Sequence, residues 1–327
     1  MKEKVLNTIR KFNLIQPGDK LVLGVSGGPD SISMLNILNE IKEEFQFELY
    51  VAHINHMLRE EAEEDEKYVQ TYCEKNGIQC YVKRIDIQQF AHTYKMGTEE
   101  AGRKVRYDFF EEVMQNVGAN KIGIAHNKND KIETIIMNLL RGSGLSGLKG
   151  IEPVRENKYI RPLIECDRKE IETYCEEHQL NPRIDKTNFE NDYTRNKIRN
   201  IVIPYIKEEF NPNVIETIDR LSQVATEESN YLDRQTNKIY EKLLIEKTEN
   251  QIILKLKDFN EQDKVIKNRI ILLTVKELMG STQRIEKIHI EDIIKLCDNN
   301  VGNKYLTPNK NIKFLVKDKK LYIRRNV

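Results

Sequence analysis

Apolar positions in the first half of the chain form short continuous runs, such as Leu21-Val-Leu-Gly-Val25, separated by stretches in which they recur every three or four residues. The runs predict strands at 20–25, 47–53, 79–85 and 120–125, with a short one near 158–161. The intervening period predicts helices at about 30–41, 61–76, 97–116 and 129–141. Strands alternating with helices at this pace make an α/β fold, a doubly wound parallel sheet.

After residue 205 the pattern changes. Pro204 and Pro212 bracket a break, and Val214, Ile218, Leu221 and Val224 then follow at helical spacing, so 213–245 reads as a long connecting helix. Helices near 259–279 and 286–297, flanked by strand-like runs Ile252–Leu256 and Lys313–Arg324, make a smaller mixed α+β domain. The expected division is one domain over 1–205 and a helical linker with the small domain over 206–327.

Composition narrows the setting. Met1–Arg10 is patterned as an amphipathic helix and lacks the apolar stretch of a signal peptide; no apolar run approaches the ~20 residues that span a bilayer. A cytoplasmic location is expected. The five cysteines, Cys73, Cys80, Cys166, Cys175 and Cys297, are an odd number without a Cys-x-x-Cys pair, which argues against a disulfide framework, a zinc ribbon or an iron–sulfur site. The net charge of +1 hides an uneven distribution. Residues 60–66 are acidic, whereas Arg195, Lys197 and Arg199 lie together without an acid, and eight Lys or Arg between Val301 and Val327 face only Asp318. Together the basic segments point to a polyanionic partner.

The chemistry begins where the first strand breaks into Ser26-Gly27-Gly28-Pro29-Asp30-Ser31. Gly27 and Gly28 let the backbone approach an anion, and the free amides at the start of the next helix point at it with the positive end of the dipole. Ser26 and Ser31 add hydroxyl donors, and Asp30 is placed to hold a divalent cation against phosphates. Neither Gly-x-x-x-x-Gly-Lys-Ser/Thr nor Gly-x-Gly-x-x-Gly occurs. Gly24-x-Ser26-x-Gly28 also satisfies the nucleophile elbow of serine hydrolases. That chemistry needs a later acid and histidine, and His178 and His289 lie in charged helical stretches with no glycine-rich oxyanion segment nearby. A bare turn with no ligand has little use for two glycines, an acid and two serines together.

Ligands in such sheets sit at the carboxyl ends of the strands. The unusual residues fall there: the Ser26 loop, then His53-Ile-Asn55-His56-Met-Leu58-Arg59, then His126-Asn-Lys-Asn129-Asp130. Three loops are expected to converge on one crevice. Asp130 and Glu133 share one face of the first turn of their helix, where acids suit the dipole and can ligate a metal. The glycine-dense stretch Arg141–Gly150 reads as a mobile segment able to close over a substrate.

Ser26–Ser31 resembles the signature of the N-type ATP pyrophosphatases, which cleave ATP between its α and β phosphates. Within that superfamily the ordered motifs resemble the tRNA(Ile)-lysidine synthetase family: His53-x-Asn55-His56-x-Leu58-Arg59; Gly97–Tyr107 with Arg103 and Arg106; His126–Thr134 followed by Leu140-Arg141-Gly-Ser-Gly144; Arg161-Pro-Leu163; Asp185-x-x-Asn188; and Arg195-Asn196-x-x-Arg199. The resemblance covers about residues 18 to 220.

It implies that the wobble cytidine of tRNA(Ile) with a CAU anticodon is adenylated by ATP and then displaced by L-lysine. Ser26, Gly27, Gly28, Pro29, Asp30 and Ser31 would bind ATP, with Asp30 and Asp130 holding Mg²⁺. Arg103 and Arg106 would stabilise negative charge or the tRNA backbone, Glu133 would contact the lysine ammonium or the ligand-binding helix face, and Arg195 and Arg199 would hold the activated cytidine or its phosphates. His53, Asn55, His56, Arg59, Arg106 and Arg141 would contact the RNA. The small C-terminal domain would help to embrace the tRNA, and a homodimer is compatible. Two positions depart from the family pattern: Asn129 stands where an aspartate is common, and Gly102 where alanine is usual. Many members continue into a further domain. The rival readings are a tRNA cytidine thiolase of the same superfamily, a small-molecule amidating synthetase, and a nonenzymatic RNA-binding protein, which would have no use for Asp30 and Asp130.

Overall fold

The computed structural model describes residues 1–58, 62–183, 194–282, 285–299 and 304–326. Backbone proximity divides the chain into Met1–Ala225 and Thr226–Val327. That boundary falls within the long helix, against an expected division at 205/206, because residues after 205 pack with the first unit. Val214 and Ile215 join Ile198 and Ile203 against Ile132, Ile135 and Ile136.

In the first unit, strands β1 (Lys20–Gly24), β2 (Glu48–Asn55), β3 (Gln79–Arg84), β4 (Lys121–Ile124), β5 (Val154–Arg155) and β6 (Tyr159–Ile160) form one sheet in the order β3-β2-β1-β4-β6-β5. All neighbours are parallel except the β5–β6 pair. The helices are α1 (Lys2–Phe12), α2 (Pro29–Ile41), α3 (Ala62–Lys75), α4 (Ile87–Tyr94), α5 (Thr98–Asn116), α6 (Lys128–Leu140), α7 (Leu145–Leu148), α8 (Arg168–Glu177), α9 (Thr194–Lys197), α10 (Ile203–Glu209) and α11 (Val214–Leu243). A π-helical turn, Ile198–Val202, joins α9 to α10.

Strand periodicity sorts the core into two layers. Leu21 and Leu23 pack with Val5, Ile9, Leu35, Val69 and Ile171, whereas Val22, Ala52 and Ile122 pack with Phe109, Phe110 and Val113 of α5. Gly24, the last residue of β1, lies so close to this second layer that a Cβ there would overlap the Phe110 ring. The chain turns one way from β1 to β2 and the other way to reach β4, so the loops after β1 and β4 flank the switch point of the sheet.

The second unit holds the end of α11, strands β7 (Leu244–Lys247), β8 (Gln251–Lys255), β9 (Lys304–Asn309), β10 (Ile312–Lys317) and β11 (Lys320–Arg325), and helices α12 (Leu256–Asn260), α13 (Lys264–Met279) and α14 (Lys287–Asn299). Its sheet runs antiparallel in the order β7-β8-β11-β10-β9. The expected single run at 313–324 is a hairpin, because Asp318 and Lys319 both take positive φ (50° and 59°) and make a two-residue turn. Ile312, Phe314, Val316, Leu321 and Ile323 face the core with Phe259, Ile270 and Ile293. Lys313 and Arg324 are paired on the other face, and so are Leu315 and Tyr322. The Lys313 ammonium stands 3.8 Å from the exposed Tyr305 ring, and the Arg324 guanidinium 5.0 Å from that of Tyr322. No helix of the described residues is long and apolar enough to cross a membrane.

Candidate active site

The loop after β1 closes on its own hydroxyl. Gly27 takes φ +94°, a value that suits glycine, and this turns two successive amides inward. The N–H groups of Ser26 and Gly27 each donate to Ser31 Oγ at 3.2 Å, and that hydroxyl donates to Gly28 O at 3.0 Å. Pro29 opens α2 at a position that needs no N–H donor.

Asp30, one residue into α2, faces the start of α6. Its Oδ1 accepts from Asn127 Nδ2 at 2.7 Å. Asn127 is buried and is also the N-cap of α6: its Oδ1 accepts from Asp130 N at 3.0 Å, and Asp130 Oδ2 accepts from Asn127 N at 3.1 Å. One amide side chain thus joins the two aspartates. Burial, with the nearby charge of Asp130, pushes the Asp30 carboxyl above the usual carboxylate range. Two acids held together this way favour a cation between them.

The other oxygen of Asp130 accepts from Arg199 at 3.0 Å. Arg199 also grips Glu133, with Nε to Oε1 at 2.5 Å and an Nη to Oε2 at 2.9 Å. Glu133 is 1% exposed, and burial pushes its carboxyl up against the pull of Arg199. Arg195 lies 3.6 Å from Glu133 and donates to Thr134 Oγ1 at 2.8 Å. Arg199 belongs to the π-helical turn, a feature often found at functional sites.

The loop after β2 contributes differently. His53 Nδ1 lies 2.8 Å from the carbonyl of Val25, which can only accept, so that nitrogen carries the proton. Among the described residues its buried Nε2, and the buried Nδ1 of His56, have no hydrogen-bond partner. Burial and the Arg106 charge push His56 down to about 4. Asn55 does not reach the cluster: it donates to Glu66 (3.0 Å) and Ala62 O (3.2 Å) and accepts from Met57 N (2.9 Å), which folds the loop. Arg141 caps the exposed far end of α6, roughly 17–20 Å from Asp130 at 1.5 Å per residue. Arg59, Asp185 and Asn188 lie outside the described residues.

Beside this cluster is a cavity of about 230 Å³ walled by Arg103, His126, Glu152, Arg155, Arg161 and Arg195. Arg161 Nε donates to His126 Nδ1 at 3.1 Å, and its terminal nitrogen donates to Glu152 O. The guanidiniums of Arg103 and Arg155 stand 4.9 and 5.0 Å from the Tyr107 ring. Burial pushes His126 down to about 4.

The model of the PP-loop domain, ATP_bind_3, matches residues 1–206. A tRNA(Ile)-lysidine synthase of Clostridioides difficile (strain 630) is 46% identical over 311 residues, which is 95% of this chain and 67% of that protein. One from Clostridium acetobutylicum is 47% identical over 306 residues, 93% of this chain and 66% of that protein. The chain belongs to the tRNA(Ile)-lysidine synthase family. It spans about two thirds of the length of these curated relatives. The U34-tRNA thiolase NcsA from Methanococcus maripaludis shares the fold, with a TM-score of 0.55 at 19% identity over 68% of this chain and 78% of that one.

Both departures from the lysidine synthase pattern have a structural reading. Asn129 Oδ1 accepts from the Arg168 N–H that opens α8 at 3.0 Å, a task either an amide or a carboxylate oxygen performs. A Cβ on Gly102 would meet His56 and Ile87 at 3.9 Å, ordinary contact, so the helix also has room for the alanine. The glycine-dense loop is not only a cover. It contains α7, tied by Asn138 Nδ2 to Gly147 O at 3.0 Å, and Gly150 (φ +65°) passes so near Ile135 that a side chain would collide. Sequence reasoning gave no role to Arg155 or Arg161. Arg161 stood in a recognised motif, whereas Arg155 lies on a two-residue edge strand with no spacing signal.

Proposed function

We propose that the protein ligates L-lysine to C2 of the wobble cytidine of tRNA(Ile) with a CAU anticodon, consuming ATP and releasing AMP and pyrophosphate. The observation that carries this reading is the meeting of the Ser26–Ser31 loop with the Asp30–Asn127–Asp130 bridge at the switch point of the sheet, in a chain of this family. The cytidine C2 oxygen attacks the α-phosphate of ATP and pyrophosphate leaves. The lysine ε-amine then attacks C2, and the C2–O bond breaks to release AMP.

Such displacements need positioning and charge neutralisation more than a covalent nucleophile. The amides of Ser26, Gly27 and Gly28 and the hydroxyls of Ser26 and Ser31 hold the phosphates, with Pro29 setting the start of α2. Asp30 and Asp130 are the residues that would hold Mg²⁺, a cation commonly bound by one or two carboxylates together with substrate phosphates. When bound, it supplies neutralisation of the phosphate charge. Arg199 and Arg195, fixed by Glu133, stand where they can balance charge on the adenylated base, and Arg103 approaches from the cavity side. His53, His56, Arg59, Arg106 and Arg141 are the further candidates for RNA contact, with Asn55 shaping their loop. In the second unit, the Lys313–Arg324 face with Tyr305 and Tyr322 suits a polyanion carrying bases that can stack.

The test is incubation with ATP, Mg²⁺, radiolabelled lysine and tRNA(Ile) carrying a CAU anticodon. Lysine should enter the tRNA, with AMP and pyrophosphate as products. Formation of ADP, or label entering only from sulfur or ammonia donors, would overturn the reading.

A further inference from the structure

The peptide between Gly27 and Gly28 is the freest link of the loop after β1. Neither residue has a side chain to bias it, so this peptide can turn over at little cost and present its carbonyl, in place of its amide, to an arriving phosphate. A carbonyl there would set partial negative charge against the anion. A trans peptide points its C=O and N–H to opposite sides, so whatever holds Gly27 O on one side holds Gly28 N–H on the other. That amide faces Ser26 Oγ at a long 3.4 Å, which leaves it available to a stronger acceptor.

The anchor comes from outside the loop. Gly27 O accepts from the backbone N–H of Arg183, in the segment that follows α8, at 2.9 Å. The Arg183 side chain is itself tied down: its Nε donates to the buried Asp65 Oδ1 at 3.1 Å, and a terminal nitrogen donates to Glu64. Both acids lie in the first turn of α3. That same stretch of α3 borders the loop, since a Cβ on Gly27 would stand 3.5 Å from Val69 Cγ2 and 3.8 Å from Asp65 O. One turn on, Tyr68 donates its hydroxyl to Leu180 O, a second tie between α3 and the segment that carries Arg183. Gly27 thus touches both, and Arg183 spans them.

A half-exposed ion pair adds little to the stability of a fold, so stability alone gives a weak reason for this arrangement. Orientation gives a better one. We propose that Arg183 is a positioning residue for the nucleotide: its N–H fixes the Gly27–Gly28 peptide, and its grip on Asp65 and Glu64 keeps that N–H in place, so that the loop meets the phosphates with its amides. The guanidinium acts through the loop and is assigned no contact with ATP.

The proposal rests on the assignment of Ser26–Ser31 to ATP in the ligase reading, and ATP binding measured by calorimetry without tRNA or lysine keeps the two apart. Arg183→Gln should raise both this Kd and the KM for ATP by about three- to tenfold, while KM for tRNA and for lysine and the melting temperature stay close to those of the wild type. Asp65→Asn should weaken ATP in the same way although it leaves the guanidinium intact. The two substitutions together should cost little more than one, because they break a single tie. Arg183→Lys, which keeps a cation for Asp65, should recover most of the affinity. Unchanged ATP affinity in Arg183→Gln overturns the proposal. So does a parallel loss of melting temperature and of every kinetic constant, the mark of a merely structural residue. Affinity that falls in Arg183→Gln but holds in Asp65→Asn overturns it too, since the guanidinium would then itself meet the phosphates. A wild type that binds ATP with the expected dependence on Arg183, yet puts no lysine into tRNA, overturns the ligase reading alone.

Discussion

Met1–Ala225 buries His53, Asn55, Asn127, Glu133 and Arg161 near the carboxyl edge of its sheet, whereas Thr226–Val327 fills its core with Phe259, Ile270, Phe314 and Ile323. The polar side chains buried in the second unit, Ser229, Thr236, Lys267 and Thr274, lie on helices, and Lys313 pairs with Arg324 on the outer face of its sheet. Buried polar groups cost stability even when bonded, so a chain retains them in number where they serve chemistry. The first unit is organised around a reaction, the second around presenting a surface.

The sharpest way to break this contrast is Asp30→Asn. The amide keeps an oxygen for Asn127 but removes one of two facing acids, so pyrophosphate release should fall on the order of 100- to 1000-fold or more. Because Asp30 is held above its ordinary range by burial and by Asp130, the same substitution should raise the melting temperature of the protein without nucleotide. A lower melting temperature would mean that the acid pair supports the fold.

Acidification should strike the first unit next. His56 and His126 are pushed down to about 4, and protonating His126 would take away the acceptor of Arg161 and add charge to an already cationic cavity. A histidine with a lowered folded value contributes stability that is present above about 6.5 and is lost as the pH falls towards 4, by order 1–3 kcal/mol. Denaturant unfolding across that window should show the loss, and His126→Asn should reduce it.

On the second unit, Lys313→Glu with Arg324→Glu should raise KM for tRNA about tenfold, flatten its salt dependence, and leave kcat unchanged. A change in kcat would bring this face into the reaction and erase the division of labour. The smallest effect is Gly102→Ala, which should stabilise the first unit by about 0.5–1 kcal/mol, read by denaturant titration, since a helical glycine is replaced where space exists.

The central strand of the parallel sheet was legible because Leu21, Val22 and Leu23 are buried on both of its faces, and the turn after it because glycine, hydroxyl and acid fall together. The hairpin of β10 and β11 was not, since Asp318 and Lys319 carry no glycine or Asn-Gly signal and the charges run on through the turn. The pairing of Asp30 with Asp130 and of Asp130 with Glu133 was legible, but the ion pairs of these acids with Arg195 and Arg199 were not. The grip of Arg199 on Glu133 joins positions 66 residues apart, and Asn127 announces itself only as a helix cap. Arg155 gave no signal because an arginine on a short edge strand looks like any solvated charge.

Gly24 closes β1 just before the glycine loop, and a methyl group there would overlap the Phe110 ring where it now lies. A larger residue would force the buried Phe110 ring to shift, and Phe110 belongs to α5, the helix that carries Arg103 to the cavity wall. Position 24 is therefore constrained through the Phe110 ring and not through the reacting groups, and a scan that scored residues only by their distance from substrate would overlook it.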